Sequence, residues 1–226
     1  MKKFVVLAAF AALVLAGCSR GGGSDEELPE ARTLLDRSAE AMSQLTSLAF
    51  NLSVEGDLSS FQVKDAVGVI TADGRAKATA QINQGGQVVE YEYVLADGKS
   101  YLKGPTGGFR EIPPEIVARF FNPTTLLNGE RNLSQGLASS TEAETEDVEE
   151  VDGVDAYRIK AKVNPSRIEG LSLLASGRSE EAMLWIDRES NHLVKAVMPF
   201  EVGDRETTVN VTFSKFNENV EIAPPI

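Results

Sequence analysis

The residue types that dominate hydrolytic and metal chemistry are nearly missing from this chain. Among 226 residues there is one cysteine, Cys18, one histidine, His192, and one tryptophan, Trp185. A single cysteine excludes any disulfide within the chain. A lone histidine leaves a zinc site to carboxylates, a donor set zinc rarely accepts. No G-x-S-x-G elbow, H-E-x-x-H helix or glycine-rich phosphate loop occurs. His192 itself follows Ser190-Asn191 in a turn, where a solvent-exposed residue is expected rather than a base. No catalytic residue, metal or cofactor is therefore expected, although an enzyme built on paired carboxylates stays open, because acids are many and their arrangement in space is not written in the sequence.

Basic residues are also short, 22 against 34 acids, for a formal net charge of −12. Nucleic acid is excluded as an expected partner. Eight acids fall between Glu142 and Asp155, with no lysine or arginine among them. The regular D-x-D-x-D-G ladder of a calcium loop is missing there, so the run reads as a solvated loop leading into an edge strand.

Long apolar runs are missing as well. The longest, Phe4 to Leu15, is shorter than the ~20 residues that span a bilayer, and glycine and acid follow it instead of a basic stop-transfer flank. With Lys2 and Lys3 before it and small residues after it, it has the parts of a secretory signal. Leu15-Ala16-Gly17-Cys18 resembles the lipobox of bacterial lipoproteins, and the resemblance implies a diacylglyceryl thioether on Cys18 with cleavage before it. The competing reading makes Cys18 a small buried hydrophobe in an uncleaved helix. Cleavage would leave 209 residues and raise the net charge to −14, since Lys2 and Lys3 are lost and no acid precedes Cys18. Residues 1–17 are thus expected to be a signal peptide. Residues 18–30, with SRGGGSDEELPE at their core, read as a flexible lipid-anchored tether, and residues 31–226 as the folded domain.

The body opens with a helical period. Ala31, Leu34, Leu35, Ala39, Met42 and Leu45 recur at three- and four-residue spacing, predicting a helix over Leu28 to Leu48 with Pro29 in its first turn. The period then drops to two. Leu48, Phe50, Leu52 and Val54 alternate with polar or small residues, and further strands are predicted over Phe61 to Thr71, Arg75 to Asn83, Val88 to Ala96 and Ser100 to Lys103. Asp73-Gly74, Gln84-Gly85-Gly86 and Asp97-Gly98 mark tight hairpins between them.

A second strand group covers Ala156 to Val163, Ala182 to Asp187, His192 to Phe200 and Thr207 to Phe216. Short helices are expected at Pro113 to Phe121, from Asn122-Pro123 through Leu127, and within Pro165 to Leu174. This order is not strict βα alternation, so the fold class is α+β, a large antiparallel sheet with helices on one side.

Several strands are apolar on both faces. In AMLWID, Leu184 and Ile186 point one way and Met183 and Trp185 the other. In HLVKAVMPF, Leu193 and Val197 oppose Val194, Ala196, Met198 and Phe200. Either helices and neighbouring strands cover both faces, or one face lines a cavity.

The order of lipobox, tether, helix and sheet resembles the LppX/LprG-type lipoproteins (LppX, LprA, LprF, LprG) of mycobacteria and their relatives. So do Leu45-Thr46-Ser47-Leu48, Leu95 to Leu102 (LADGKSYL), Phe121 to Leu127 (FNPTTLL), Val151 to Tyr157 (VDGVDAY) and Ala223-Pro224-Pro225. The resemblance implies a strongly curved antiparallel half-barrel with helices on its concave side, similar to the LolA and LolB carriers, enclosing an apolar cavity for acyl chains. It implies a noncatalytic, membrane-anchored carrier of acylated lipids or glycolipids on the extracytoplasmic side, with a membrane lipid transporter as a further candidate partner. Cavity-lining candidates are Phe50, Leu52, Val54, Val67, Val69, Tyr91, Tyr93, Phe120, Leu126, Leu127, Trp185 and Phe213. The alternative is a surface-tethered protein-binding or sensor module whose acidic run makes the contact.

Overall fold

The computed structural model describes residues 27–56, 63–113, 124–128, 130–164, 167–168, 181–202 and 205–226. The expectations for the signal peptide, the lipobox, Phe120 and most of the Pro165 to Leu174 patch lie outside these residues.

Eleven strands form one open antiparallel sheet in the order β6-β5-β4-β3-β2-β1-β11-β10-β9-β8-β7. They are β1 Ser47–Gly56, β2 Val63–Thr71, β3 Ala76–Gln84, β4 Gln87–Ala96, β5 Lys99–Lys103 and β6 Arg110–Ile112, then β7 Thr141–Val151, β8 Val154–Lys162, β9 Ala182–Asp187, β10 Leu193–Val202 and β11 Arg205–Ser214. Each half is a meander, and the halves join where β1 pairs with β11, Phe50 opposite Phe213 and Leu52 opposite Val211. The sheet curves without closing, and among the described residues three helices, α1 Ala31–Ser43, α2 Thr124–Leu127 and α3 Leu133–Ala138, accompany it.

Directly opposed residues share a face, so the register sorts the sheet into an inner and an outer side. The inner side carries Leu48, Phe50, Leu52 and Val54, and across the sheet Ile70, Ala76, Tyr93, Val211, Met198, Leu184 and Ile159. These pack with Leu34, Leu35 and Met42 of α1 and Leu133 and Leu137 of α3 into the main core. The helices therefore lie on the inner, concave side, with α1 against α3 and β7, and α2 against β2.

α1 is shorter than its periodicity suggests. Leu28 precedes a proline, which biases it away from helix, and the Pro29 carbonyl is taken by the Thr145 hydroxyl at 2.7 Å, so helix begins after Glu30. At the other end the Ser43 hydroxyl turns back to the Glu40 carbonyl at 2.7 Å. Leu45 continues the apolar spacing but is buried from the connection to β1.

Two hairpins follow the expected tight turns. Gly85 and Gly86, and Asp97 and Gly98, have positive φ at both central positions, the twist that suits a two-residue link. Asp73-Gly74 differs: four residues separate β2 from β3, and the Thr71 hydroxyl accepts the Arg75 N–H at 3.1 Å to close the wider loop.

The acidic run is the largest correction. It is a strand itself, β7, at the sheet edge, and Asp152-Gly153, both at positive φ, turn it into β8. Its charge is partly balanced across the ladder: Arg158 pairs with Glu146 at 3.2 Å and also with Glu149, and Lys162 pairs with Glu142 at 2.8 Å.

Candidate functional site

The inner face and the helices do not meet everywhere. Between α3 and the strands around the β1–β11 seam they leave an apolar cavity of about 40 Å³, counted over positions open to the centre of a water-sized sphere. That is room for roughly three waters. Phe50 and Leu52 of β1 form its floor with Val211 and Phe213 of β11. Ala196 and Met198 of β10 and Leu184 of β9 continue the floor, and Leu126, Leu133 and Leu137 supply the roof. Among the described residues Ser140 is the one polar side chain in the wall, and its hydroxyl donates to the Gly136 carbonyl at 3.0 Å. The described part of the wall therefore offers hydrocarbon, with its hydroxyl already bonded, a surface suited to nondirectional burial of chains.

Each wall has a local cause. α3 starts at Asn132, whose side-chain oxygen accepts the Gln135 N–H at 2.9 Å and caps the helix. Four residues of helical spacing then put Leu133 and Leu137 on one side. Between them, Gly136 admits the Ile168 side chain: a Cβ on Gly136 would stand 2.5 Å from Ile168 Cδ1. On the sheet, Gly68 lies opposite Phe50, and a Cβ there would stand 2.9 Å from the Phe50 ring. Two glycines thus set where Ile168 and Phe50, both wall residues, can sit.

Of the candidates named from sequence, Phe50, Leu52, Leu126 and Phe213 meet at this cavity. Val54, Tyr93 and Leu127 are buried in the same inner core but outside its wall. Tyr93 is hydrogen-bonded to the Ser100 hydroxyl at 3.1 Å; burial pushes its phenol above the ordinary value, and the bond to Ser100 pulls the other way. Tyr91 is on the inner face, half-buried, accepting a hydrogen bond from Gln84 at 3.0 Å.

Val67, Val69 and Trp185 do not join them. Val67 and Val69 pair with Asn51 and Ala49 on the outer face, where Val67 is 49% exposed. Trp185 pairs with Lys195 and Arg158, also outside. The outer apolar residues have their own covers. Trp185, Val194 and Ala156 form one small cluster with Phe216, while Val94, Ala96 and Tyr101 form another with Val220 and Ile222 of the C-terminal segment. Apolar residues on both faces therefore reflect two packed sides.

Wall residues missing from the named candidates include Leu133, Leu137 and Val211, and also Leu184 and Met198, which the sequence placed in apolar strand faces without assigning them to the cavity. The Asn132 cap with Leu133 and Leu137 behind it was a usable signal for the roof, interrupted by Gly136. In β10 a bulge between Leu193 and Lys195 puts Leu193 on the inner side with Ala196 and Met198, while Val197 stays outside.

Among the described residues, no three His, Cys, Asp or Glu side chains are grouped to hold a metal ion, and no helix is long and apolar enough to cross a membrane. Comparison with known proteins fits the architecture. The lipoarabinomannan carrier protein LprG of Mycobacteroides abscessus is 28% identical over 96% of this chain and 94% of its own length. The protein of that name from Mycobacterium tuberculosis is 26% identical over 99% and 95%. The crystal structure of LprF from Mycobacterium bovis superposes with a TM-score of 0.71 at 20% identity, covering 86% of this chain and 96% of LprF. That of the Mycobacterium tuberculosis lipoprotein LppX gives 0.62 at 21% identity, covering 85% and 98%. The family model LppX_LprAFG lipoprotein matches residues 30–222, from the residue before α1 to Ile222 of the C-terminal segment, and the chain belongs to that family.

Proposed function

We propose that this protein is a noncatalytic carrier that takes the acyl chains of a lipid or glycolipid into the cavity between α3 and the curved sheet. In this reading it is held to the cytoplasmic membrane, on its extracytoplasmic side, by a lipid on Cys18. The observation that carries the proposal is the apolar wall formed by Phe50, Leu52, Leu126, Leu133, Leu137 and Phe213, with the Ser140 hydroxyl already bonded. The naming of its relatives as lipoarabinomannan carriers supports a large acylated glycolipid as one class of cargo.

The energetics favour such a device. Exposing an acyl chain to water costs roughly 0.8 kcal/mol per CH₂, so a chain of about 16 carbons crosses an aqueous space slowly without a cover. A volume of about 40 Å³ is too small for a whole chain. Loading therefore requires α2 and α3 to ride away from the inner face, widening a gap whose walls are already hydrocarbon. Helices on a sheet move as units more readily than the sheet itself deforms, since the strands share ladder hydrogen bonds and the helix contacts are nondirectional.

Lipid extraction and native mass spectrometry of protein purified from its own membranes test the reading, together with titration of the delipidated protein by a fluorescent fatty-acyl probe. Co-purifying acylated lipid and saturable probe binding are expected. Protein that carries no lipid and binds no probe would overturn it.

A further inference from the structure

The roof of the cavity is a short helix held from behind. α3 has six residues, fewer than a helix needs to persist alone in water, so its contacts decide whether it stays on the sheet. Near its amino end, the Asn128 side-chain amide reaches the Ala72 carbonyl beyond β2, and the Asn132 amide donates to the Leu127 carbonyl at 3.4 Å. Its carboxyl end runs through Ser139 and Ser140 straight into β7. Backing it is α1, which packs along α3 and also meets β7.

One side-chain bond crosses from α1 to that carboxyl end. Arg32 Nη1 donates to the Ser140 carbonyl at 2.9 Å in a half-buried contact. The Asp36 carboxylate, one turn along α1, takes Arg32 Nε at 3.1 Å and also Nη2, so the guanidinium is oriented before it meets Ser140. Ser139 and Ser140 are the residues that would absorb the backbone change if α3 swung off the sheet, and Arg32 fixes the carbonyl of the second.

α1 also carries a defect. Ser38 is fully buried in the middle of the apolar stripe, about one turn from Leu34, Leu35 and Met42, and its hydroxyl has no hydrogen-bond partner among the described residues. A helical serine often bonds the carbonyl four residues back, and this one does not. An unpaired buried hydroxyl destabilises the packed state relative to any state in which water reaches it. Arg32 and Ser38 thus act on one helix in opposite directions.

We propose that α1 is the latch of the α3 roof: the Arg32 bond to Ser140 holds the roof on the sheet, and the unpaired Ser38 hydroxyl keeps that held state releasable. That the roof covers a carried ligand rests on the carrier reading; the latch itself does not. On release α1 and α3 separate, water reaches Ser38, and α3 is too short to keep its hydrogen bonds. The cavity wall is the same before and after, so loading and unloading rates change together while affinity stays constant.

The test uses the delipidated full chain and its Arg32→Gln, Arg32→Lys and Ser38→Ala variants. Amide hydrogen exchange is followed at Gly136, Ser139 and Ser140, whose N–H groups bond the Asn132, Gln135 and Leu137 carbonyls, and at the paired residues of β1 and β11. Stopped-flow mixing with an uncharged fluorescent acyl probe gives the loading and unloading rates. In wild type the α3 amides should exchange faster than those of the central strands, through local release. Arg32→Gln should speed α3 exchange about fivefold, the scale of one solvent-screened hydrogen bond to a charged group. Arg32→Lys should speed it less, and Ser38→Ala should slow it by a similar factor. Probe association and dissociation rates should follow the same order, with the dissociation constant unchanged within about twofold.

Unchanged α3 exchange in Arg32→Gln, faster exchange in Ser38→Ala, or α3 amides that exchange only together with β1 overturns the latch. Probe rates that ignore all three variants while α3 exchange responds overturn it as the control of access. Because exchange needs no ligand, a wild type that binds no probe while α3 responds as expected removes the carrier reading and supports the latch.

Discussion

The Trp185 indole N–H donates to a carboxylate oxygen of Glu149 at 2.8 Å, across the outer face of the sheet. Glu149 also receives Arg158, and Lys195 lies 4.6 Å from the centre of the indole ring. The one tryptophan and part of the acidic run thus complete each other: the carboxylate satisfies a buried donor, and the strand bearing it is fastened to the sheet by more than its ladder.

Trp185→Phe should therefore destabilise the protein by about 1 to 2 kcal/mol, through the lost hydrogen bond and a weaker cation–π contact. Because the indole is on the face opposite the cavity, acyl-probe affinity should stay at the wild-type value. Denaturant melts and probe titration on the same preparation check both halves. A large loss of probe affinity with little loss of stability would place Trp185 at the binding site after all.

How far the fold was readable depends on how local each signal was. Strand β1 could be read residue by residue, because Leu48, Phe50, Leu52 and Val54 alternate without interruption and all face inward. β7 was hidden by its composition. Ala143, Thr145, Val148 and Val151 are its partly buried positions together with Glu149, and six acids along the strand mask the period. The Asp152-Gly153 turn was a usable hairpin signal. The bulge at Val194 could not be seen, since inserting one residue leaves no compositional mark. Nor could the outer clusters be foreseen, because their cover comes from Phe216, Val220 and Ile222, far along the chain from the strands they pack on.

The two wall glycines should respond differently to alanine. At Gly68 the new Cβ would stand 2.6 Å from the Lys77 carbonyl oxygen and 2.8 Å from Ala78 Cβ, so strand backbone has to move. Gly68→Ala should cost about 1 to 3 kcal/mol, as overpacking does. At Gly136 the obstacle is the Ile168 side chain, Cδ1 at 2.5 Å and Cγ1 at 2.6 Å, so a side chain and not strand backbone has to give. Gly136→Ala should leave stability within about 1 kcal/mol of wild type, helped by alanine's better helix propensity, and change probe affinity by moving a wall residue. Urea melts paired with probe titration separate the two cases; equal destabilisation by both would contradict the contact geometry.

Ala196 offers a direct way to fill the cavity. It is 6% exposed on the inner face of β10 and part of the wall, so Ala196→Leu adds three carbons where space exists. Acyl-probe affinity should fall about tenfold while Tm shifts by less than about 4 °C, because volume is being filled and overpacking is limited. An unchanged affinity would put the acyl chains elsewhere.

Acid should weaken the outer face through His192. Its ring stacks on Phe216 with centroids 4.4 Å apart, and burial lowers its pKa from the ordinary histidine value, with the charge of Asp187 opposing. A histidine whose folded pKa lies below its unfolded value contributes stability that is present above about pH 6.5 and lost as pH falls through the folded value, since the unfolded chain takes up the proton first. Phe216 belongs to the cover of the Trp185 cluster, and Asn217 next to it donates its N–H to the Ser47 carbonyl at 3.0 Å. Protonation therefore works against the point where the C-terminal segment leaves β11. Between pH 7.5 and pH 5.5, wild type should lose more stability than His192→Gln, in which that proton uptake is gone and the carboxylates titrate as before. Denaturant midpoints for both proteins at the two pH values measure the difference, and identical pH dependence would show that His192 is not coupled to folding.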